Sequence, residues 1–507
     1  MLAEGQGGLA LETAGIGAKG TGAVRLRPAE AFSPMPLGRG RISPIVISGA
    51  VRILEFIVVC LTGAAIAWVY LPVEVSARPY WVALPGAAAL TLVAFRLLDI
   101  DQPGALRNFV GSAWKVVAGF ALVFLVLFAL VFFLKFEGAF SRVVFAAWFV
   151  FGLAALLALR FVVHLAVKAM TARGLLDRRA AIVGGGATAE ALLEALTRDK
   201  DSDLRIVGLF DDRTDGRSPD LVAGYPKLGG IDELIGYARN ARLDTIIFAL
   251  PVTAEARILD MLKRVCVLPV DIRLAAHTQQ LRFKPRNYSY LGSMPVFDMA
   301  DRPVADWGLV WKAAFDRVAG ALLLLALTPL MLLIALAVKL DSRGPVLFRQ
   351  KRYGFNNQMI EVFKFRSMYV EQTDATAARL VTRDDPRVTR VGRFLRKASL
   401  DELPQLFNVV FRGDLSLVGP RPHAVHAKAE DRLYDEVVEG YFARHKVKPG
   451  ITGWAQVNGW RGETDTHEKI QKRVEHDLFY IENWSLAFDF YILLLTPFAL
   501  IKSENAY

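Results

Sequence analysis

The sequence predicts three parts in series: a membrane-embedded α-helical region, a parallel α/β domain, and a C-terminal domain with one further apolar helix that enters the membrane and leaves on the same side. Three observations carry this. Hydrophobic residues make up 53% of the 507 positions and charged residues 22%, with a mean hydropathy of +0.33, too apolar for an ordinary water-soluble enzyme. Four uncharged runs lie in the first third of the chain. From Arg178 onward, short strand patterns alternate with helical ones, as in βαβ units. At ~100–200 residues per domain there is room for a membrane region and two soluble domains, so neither a lone channel nor a small binding module fits. The excess of 61 Lys+Arg over 50 Asp+Glu, net +11, suits an anionic membrane surface, phosphorylated substrates or nucleic acid equally. Cys60 and Cys266 stand far apart with no metal-ligand spacing near either, which argues against a disulfide framework or a zinc site and for a reducing compartment.

Residues 1–44, rich in Gly, Ala and Pro, read as a disordered cytoplasmic tail because no apolar core leads into a cleavage site. Residues 45–170 hold the runs Phe56–Val73, Pro79–Phe95, Val116–Leu134 and Val143–Leu159, each near the ~20 helical residues that cross a bilayer. Arg52 and Glu55, one turn apart, are expected to pair with each other. Arg25, Arg27, Arg39 and Arg41 precede the first run; Arg96, Arg107 and Lys115 lie between the second and third; Lys168, Arg173, Arg178 and Arg179 follow the fourth. These mark the cytoplasmic side and return the chain to the cytoplasm after four crossings. A fifth run, 318–338, carries Pro329 at its middle and basic residues at both ends (Lys312 and Arg317; Lys339, Arg343, Lys351 and Arg352). Proline bends a helix and basic flanks face the cytoplasm, so a re-entrant helix breaking at Thr328-Pro329 is expected, with a kinked spanning helix as the alternative. A short run, Phe488–Ile501, interrupted by Asp489 and Pro497, is expected to lie on the membrane surface.

Between 178 and 300, strands at Ala180–Val183, Ile206–Phe210, Thr245–Leu250 and Val270–Leu274 alternate with helices. The turn Gly184-Gly185-Gly186-Ala187-Thr188-Ala189 follows the first strand, and Asp211-Asp212 closes the second. That is a Rossmann-like pattern with an acid where a ribose would be held. It leaves open a scaffold, a regulatory nucleotide site or a catalytic role; no Tyr-x-x-x-Lys pair accompanies it.

The chemistry-bearing residues lie in 310–502. Ser399 is placed to cap a helix whose first turn carries Asp401 and Glu402, with Arg393, Arg396 and Lys397 alongside. That positive field should keep a carboxylate ionised and draw phosphate to it. Gly419, Pro420 and Pro422 make a stiff loop around Arg421, whose guanidinium suits bidentate phosphate binding. The stretch Lys448 to Thr464 is dense in turn residues and polar side chains, as pocket loops are. His423 and His426 are three apart but lack a third ligand.

Five separated motifs, Lys364-Phe-Arg-Ser-Met, Ser399-Leu-Asp-Glu-Leu-Pro-Gln-Leu-Phe-Asn, Gly419-Pro-Arg-Pro, Pro449-Gly-Ile-Thr-Gly-Trp-Ala-Gln-Val-Asn-Gly and Tyr480-Ile-Glu-Asn-Trp-Ser, resemble in that order the bacterial sugar transferase family. Its members are polyprenyl-phosphate hexose-1-phosphate transferases. Four membrane helices plus an α/β domain upstream are similar to its long form, and Arg461-Gly-Glu-Thr-Asp-Thr resembles the group using UDP-glucose. Asn357 departs from the pattern, standing where many members have a second glycine after Gly354.

The resemblance implies an enzyme of the bacterial cytoplasmic (inner) membrane, multi-pass, with cytoplasmic soluble domains. Its partners would be a UDP-hexose, undecaprenyl phosphate and the lipid bilayer, without nucleic acid; a homo-oligomer is left open. Asp401 would attack the sugar-bearing phosphate, release UMP and hold the sugar phosphate until the lipid phosphate takes it, starting an exopolysaccharide or O-antigen repeat unit. It further implies Mg²⁺ at Asp401, Glu402 as helper or base, Arg396 and Arg421 on phosphate, and Asp477 as an additional site acid. Rival classes are a nucleotide sensor without catalysis and a glycosyltransferase that moves only the sugar and releases UDP.

Overall fold

The computed structural model describes residues 43–502 apart from 72–77, 136–139, 199–203, 215–217, 252–253, 276–288, 292–293, 371–384, 423–427, 430–431, 434–440, 461 and 463–465. The tail, His423, His426 and most of the Arg461–Thr466 motif therefore lie outside the described residues.

The chain begins with α1 (Pro44–Tyr70), α2 (Arg78–Leu97), the short α3 (Pro103–Arg107), α4 (Phe109–Phe133) and α5 (Arg142–Ala172). Ser43 caps α1, its Oγ accepting from Ile45 N at 3.2 Å, and Pro44 follows where a missing N–H costs nothing. Phe95, Phe120, Phe124 and Trp148 form the packed centre of these helices, and the Trp148 indole donates to Val59 O at 3.0 Å. The expected Arg52–Glu55 pair does not form. Glu55 meets Arg160 of α5 at 2.5 Å, while Arg52 meets Asp101 at 2.9 Å. Both acids are buried, and partners on other helices reach them where a neighbour one turn away does not. With α9 below, five helices among the described residues are long and apolar enough to cross a membrane.

The α/β domain comprises β1 (Arg178–Val183), α6 (Ala187–Arg198), β2 (Leu204–Phe210), β3 (Leu221–Val222), β4 (Tyr225–Gly229), α7 (Ile231–Asn240), β5 (Thr245–Phe248), α8 (Glu255–Val265), β6 (Asp271–Ala275), β7 (Ser289–Leu291) and β8 (Met294–Ala300). The sheet order is β3-β4-β2-β1-β5-β6-β8-β7. The expectation of a purely parallel sheet is corrected at its edges: β4-β2-β1-β5-β6 are parallel, whereas β3 pairs antiparallel with β4, β8 with β6 and β7 with β8. The central strands are buried on both faces and so read as continuous apolar runs, a signal the short edge strands lack.

The C-terminal domain opens with α9 (Asp306–Asp341), longer than the 318–338 expected. It is one unbroken α-helix through Thr328 and Pro329, so the expected break is not seen at the level of the helix. Thr328 Oγ1 donates back to Leu324 O at 2.6 Å, a bond that bends helices without ending them. Both halves pack on one domain: Gly320 lies against Val409 and Val410, and Met331, Ile334 and Val338 pack with Phe365 and Leu395. Next come the antiparallel hairpin β9 (Leu347–Tyr353) and β10 (Met359–Phe365), helix α10 (Arg390–Ala398), a helical segment 400–412, β11 (Ser416–Val418) and the 3₁₀ turn Tyr441–Lys446. The strand Gly450–Thr452 pairs parallel with β11, and the helices His467–Glu482 and Leu486–Lys502 close the domain. The last begins at Leu486, close to the Phe488–Ile501 run expected on the membrane surface. Asp489 is fully buried, accepting from Lys312 at 2.6 Å, Tyr480 at 2.7 Å and Trp484 at 3.2 Å.

Candidate active site

The site begins where α10 stops. Thr389 caps α10 by accepting from Gly392 N at 3.0 Å, and a side chain at Gly392 would collide with Ser367 O. Ser399 was expected to act as a side-chain N-cap. Instead it takes the left-handed conformation (φ 55°, ψ 22°) and its N–H closes α10 on Arg396 O at 3.1 Å. This reversal places Asp401 and Glu402 on a single 3₁₀ turn, Leu400–Glu402, with both side chains buried.

Glu402 is held from two sides. Arg421 grips it bidentately at 2.5 and 3.2 Å, and Lys364 of β10 reaches it at 2.8 Å. Burial works to raise its pKa, but Arg421 and Lys364 prevail and hold the carboxyl far below the usual carboxylate range. Glu402 in turn raises the pKa of Arg421. Asp401 behaves oppositely. Burial raises its pKa, Lys364 opposes that, Glu402 adds to it, and Arg396 and Arg421 oppose it further. At Asp401 desolvation outweighs the neighbouring cations. The turn thus carries one firmly ionised acid beside one whose pKa burial raises.

Each motif supports this turn. In Lys364-Phe-Arg-Ser-Met, Lys364 points to Glu402 while Arg366 donates to Arg343 O at 2.6 Å, Ser342 O at 2.8 Å and Val338 O at 3.3 Å, satisfying the carbonyls that end α9. Asn408, fully buried, accepts from Phe363 N at 3.0 Å and donates to Glu361 O at 2.7 Å, docking the 400–412 segment on β10. The loop after β11 is fixed along its length: Val418 O accepts from Lys312 at 3.0 Å and Tyr480 at 3.1 Å, Gly419 N donates to Thr452 O at 2.9 Å, and Gly450 N donates to Pro420 O at 3.0 Å. A Cβ on Gly450 would lie 2.1 Å from Gly419 N, so this crossing admits only glycine. The Lys448–Thr464 stretch, read from sequence as a pocket loop, is over 450–452 the strand that braces Arg421.

Arg396 lies close enough to act on Asp401. Arg421 was expected on phosphate, and here its guanidinium is engaged with Glu402. Asp477, expected as an additional site acid, pairs with Arg444 at 2.5 Å, and Arg444 donates to Arg421 O at 2.7 Å. Thr328 and Pro329 sit on the exposed face of α9. Asn357 adopts φ 58°, a conformation glycine or asparagine tolerates, and its Oδ1 meets His445 Nδ1. Lys364 and Arg444 were not singled out from the sequence, although Lys364 stands in a quoted motif and Arg444 four residues before Lys448.

No group of three or more acidic, histidine or cysteine side chains able to hold a metal occurs among the described residues. Both Glu402 oxygens are ion-paired, which leaves Asp401 as the acid at the turn with a carboxylate to offer. One carboxylate together with diphosphate oxygens is a donor set that Mg²⁺ accepts.

The α/β domain has its own concavity, about 540 Å³, lined by Gly185, Gly186, Thr188, Arg213 and Leu250. Asp211, one of the pair standing where a ribose-binding acid would, is buried and taken up by Arg213 at 2.8 Å and Arg257 at 2.9 Å.

Residues 307–503 match the family model described as bacterial sugar transferase, and residues 96–276 match one described as CoA-binding domain. Similar curated proteins include the undecaprenyl-phosphate glucose phosphotransferase of Komagataeibacter xylinus, 42% identical over 71% of this chain and 66% of that protein. The UDP-glucose:undecaprenyl-phosphate glucose-1-phosphate transferase of Xanthomonas campestris pv. campestris is 33% identical over 90% of this chain and 94% of that protein. The protein of the same name from Escherichia coli K12 is 38% identical over 71% and 76%. A match that spans nearly the whole length of such a relative, with all five motifs gathered around one buried acid pair, shows that the chain belongs to the bacterial sugar transferase family.

Proposed function

We propose that this sugar-phosphate transferase moves hexose 1-phosphate, from UDP-glucose, to undecaprenyl phosphate and releases UMP. The observation that carries the reading is the turn with Asp401 beside an ion-paired Glu402. Asp401 attacks the sugar-bearing phosphorus; the bond to the bridging oxygen breaks and UMP departs with it. The resulting aspartyl phosphosugar is an acyl phosphate, and a phosphate oxygen of the lipid displaces the carboxylate to give the lipid diphosphate sugar. A carboxylate nucleophile divides one phosphoryl transfer into two. Lys364, Arg396 and Arg421 orient the diphosphate and offset its charge. Mg²⁺, held by Asp401 and the diphosphate, would supply further charge neutralisation.

The lipid phosphate lies at headgroup level and UDP-glucose is cytoplasmic, so one site must face both. We read α1, α2, α4 and α5 as four crossings of the bacterial inner membrane and α9 as re-entrant. Supporting the latter, one soluble domain holds both ends of α9: Lys312 on Val418 O, and Asp341 accepting from Val391 N at 3.2 Å. The product opens an exopolysaccharide or O-antigen repeat unit. Purified protein with Mg²⁺, undecaprenyl phosphate and UDP-glucose should release UMP, and Asp401→Asn should abolish both turnover and the covalent sugar phosphate. Release of UDP would establish transfer of the sugar alone, and near-normal UMP release by the variant would remove Asp401 as nucleophile.

A further inference from the structure

Arg444 is an unusual residue to find sealed in a protein: its side chain is 0% exposed and that of its partner Asp477 2%. Burying such a pair is costly unless its hydrogen bonds are well made. Here the pair is directed at the active site. Asp477, on the helix His467–Glu482, holds the Arg444 guanidinium at 2.5 Å, the Tyr441 ring lies 5.4 Å from it, and a guanidinium nitrogen donates to the backbone carbonyl of Arg421 at 2.7 Å. The Arg421 side chain then grips Glu402. Val418 O, three residues earlier, is tied down separately by Lys312 and Tyr480, so Arg444 fixes the far end of the arginine loop and with it the direction in which Arg421 leaves the backbone.

We propose that Arg444 and Asp477 are positioning residues for the transfer reaction: they touch no substrate, and act by locking the Arg421 carbonyl so that its guanidinium meets Glu402 and the diphosphate in one geometry. This rests on the phosphosugar-transfer reading and assigns Asp477 a place behind the site. Lysine at 444 keeps the charge for Asp477 but has no planar fork to reach the carboxylate and the carbonyl together. Displacing a phosphate-orienting group by even ~1 Å is enough to slow turnover by about tenfold or more.

The test is a double-mutant cycle on the full-length protein in detergent with UDP-glucose, undecaprenyl phosphate and Mg²⁺, reading kcat and KM from UMP release. Arg444→Lys is expected to lower kcat by about tenfold with KM changed less than about threefold, and to cost less than about twofold when introduced into Arg421→Lys, because the group it positions is already altered. Losses that multiply in the double variant, with both proteins melting as the parent does, would overturn the proposal. Should Arg444→Lys fail to fold, Asp477→Asn, isosteric and uncharged, takes its place in the same cycle with the same two outcomes. Absence of UMP release from the parent protein would instead refute the reading of the reaction.

Discussion

His445 sits one residue from Arg444, buried, with Arg239 of the α/β domain also near it. Burial first, then Arg444 and Arg239, depress its pKa from 6.5 to about 3. A group whose folded pKa is depressed contributes stability that is present above its unfolded value and lost as pH falls toward the folded one. For His445 that window opens at 6.5 and runs down toward 3. Thermal unfolding of the solubilised protein should therefore show a fall in Tm between pH 7.5 and pH 5 that is smaller in His445→Gln than in the parent. An equal fall would exclude His445 as the titrating group. Asp401, Glu402, Arg396 and Arg421 were legible as a candidate site because acids and arginines stand a few residues apart beside rigid turns. Arg444 and Lys364 were not, since Arg444 acts on Arg421 across 23 residues of sequence and Lys364 on Glu402 across 38, and only the folded chain closes those gaps.

Among the elements, α9 decides which side of the membrane the chemistry faces. Its 36 residues would span roughly 54 Å if straight, well beyond the ~30 Å of hydrocarbon, yet the domain at its N-terminal half and the domain at its C-terminal end are the same. With Cys60 and Cys266 replaced by serine, Leu309→Cys and Leu340→Cys, both at exposed positions, should react with a membrane-impermeant maleimide from the cytoplasmic face alone. Labelling of Leu340→Cys from outside would make α9 a fifth crossing. The element's existence and its proline were evident from hydropathy; its extension to Asp306 and Asp341 was not, because Lys312, Asp316 and Arg317 before the run and Lys339 and Asp341 after it interrupt the apolar pattern, while Ser43 donates to Asp306 and Arg366 to Ser342 O at the two ends.

Across the whole molecule, the α/β domain meets the catalytic domain at the turn Tyr441–Lys446 and the loop before β10. Arg239 of α7 lies 5.3 Å from the Phe442 ring, and Asn356 donates to Ala238 O at 2.9 Å. Its glycine-rich turn lies elsewhere, at the end of β1. Gly186 has φ 78°, so alanine there is strained by about 1–2 kcal/mol, but the chemistry is read as residing after residue 306. Gly186→Ala should keep UMP release within about twofold, whereas Arg239→Ala, which loosens the turn carrying Arg444, should lower it several-fold. A folded Gly186→Ala that loses the chemical step would make the α/β domain part of catalysis.

What the sequence determined by itself was local and compositional. Apolar length set the membrane helices, period and glycine placement set the βαβ core, and five short motifs set the family and the acid pair. Tertiary structure alone decided how those motifs serve one another. Ser399 ends a helix where its type suggested starting one, because the left-handed turn is what brings Asp401 and Glu402 under Lys364 and Arg421. Glu55 pairs with Arg160 and Asp211 with Arg213 and Arg257, since a buried carboxylate must find a cation somewhere, and which cation depends on how the helices and strands pack. Asp477 serves the site through Arg444 for the same reason: in a low-dielectric interior charges are satisfied by proximity in space, a quantity that spacing along the chain does not contain.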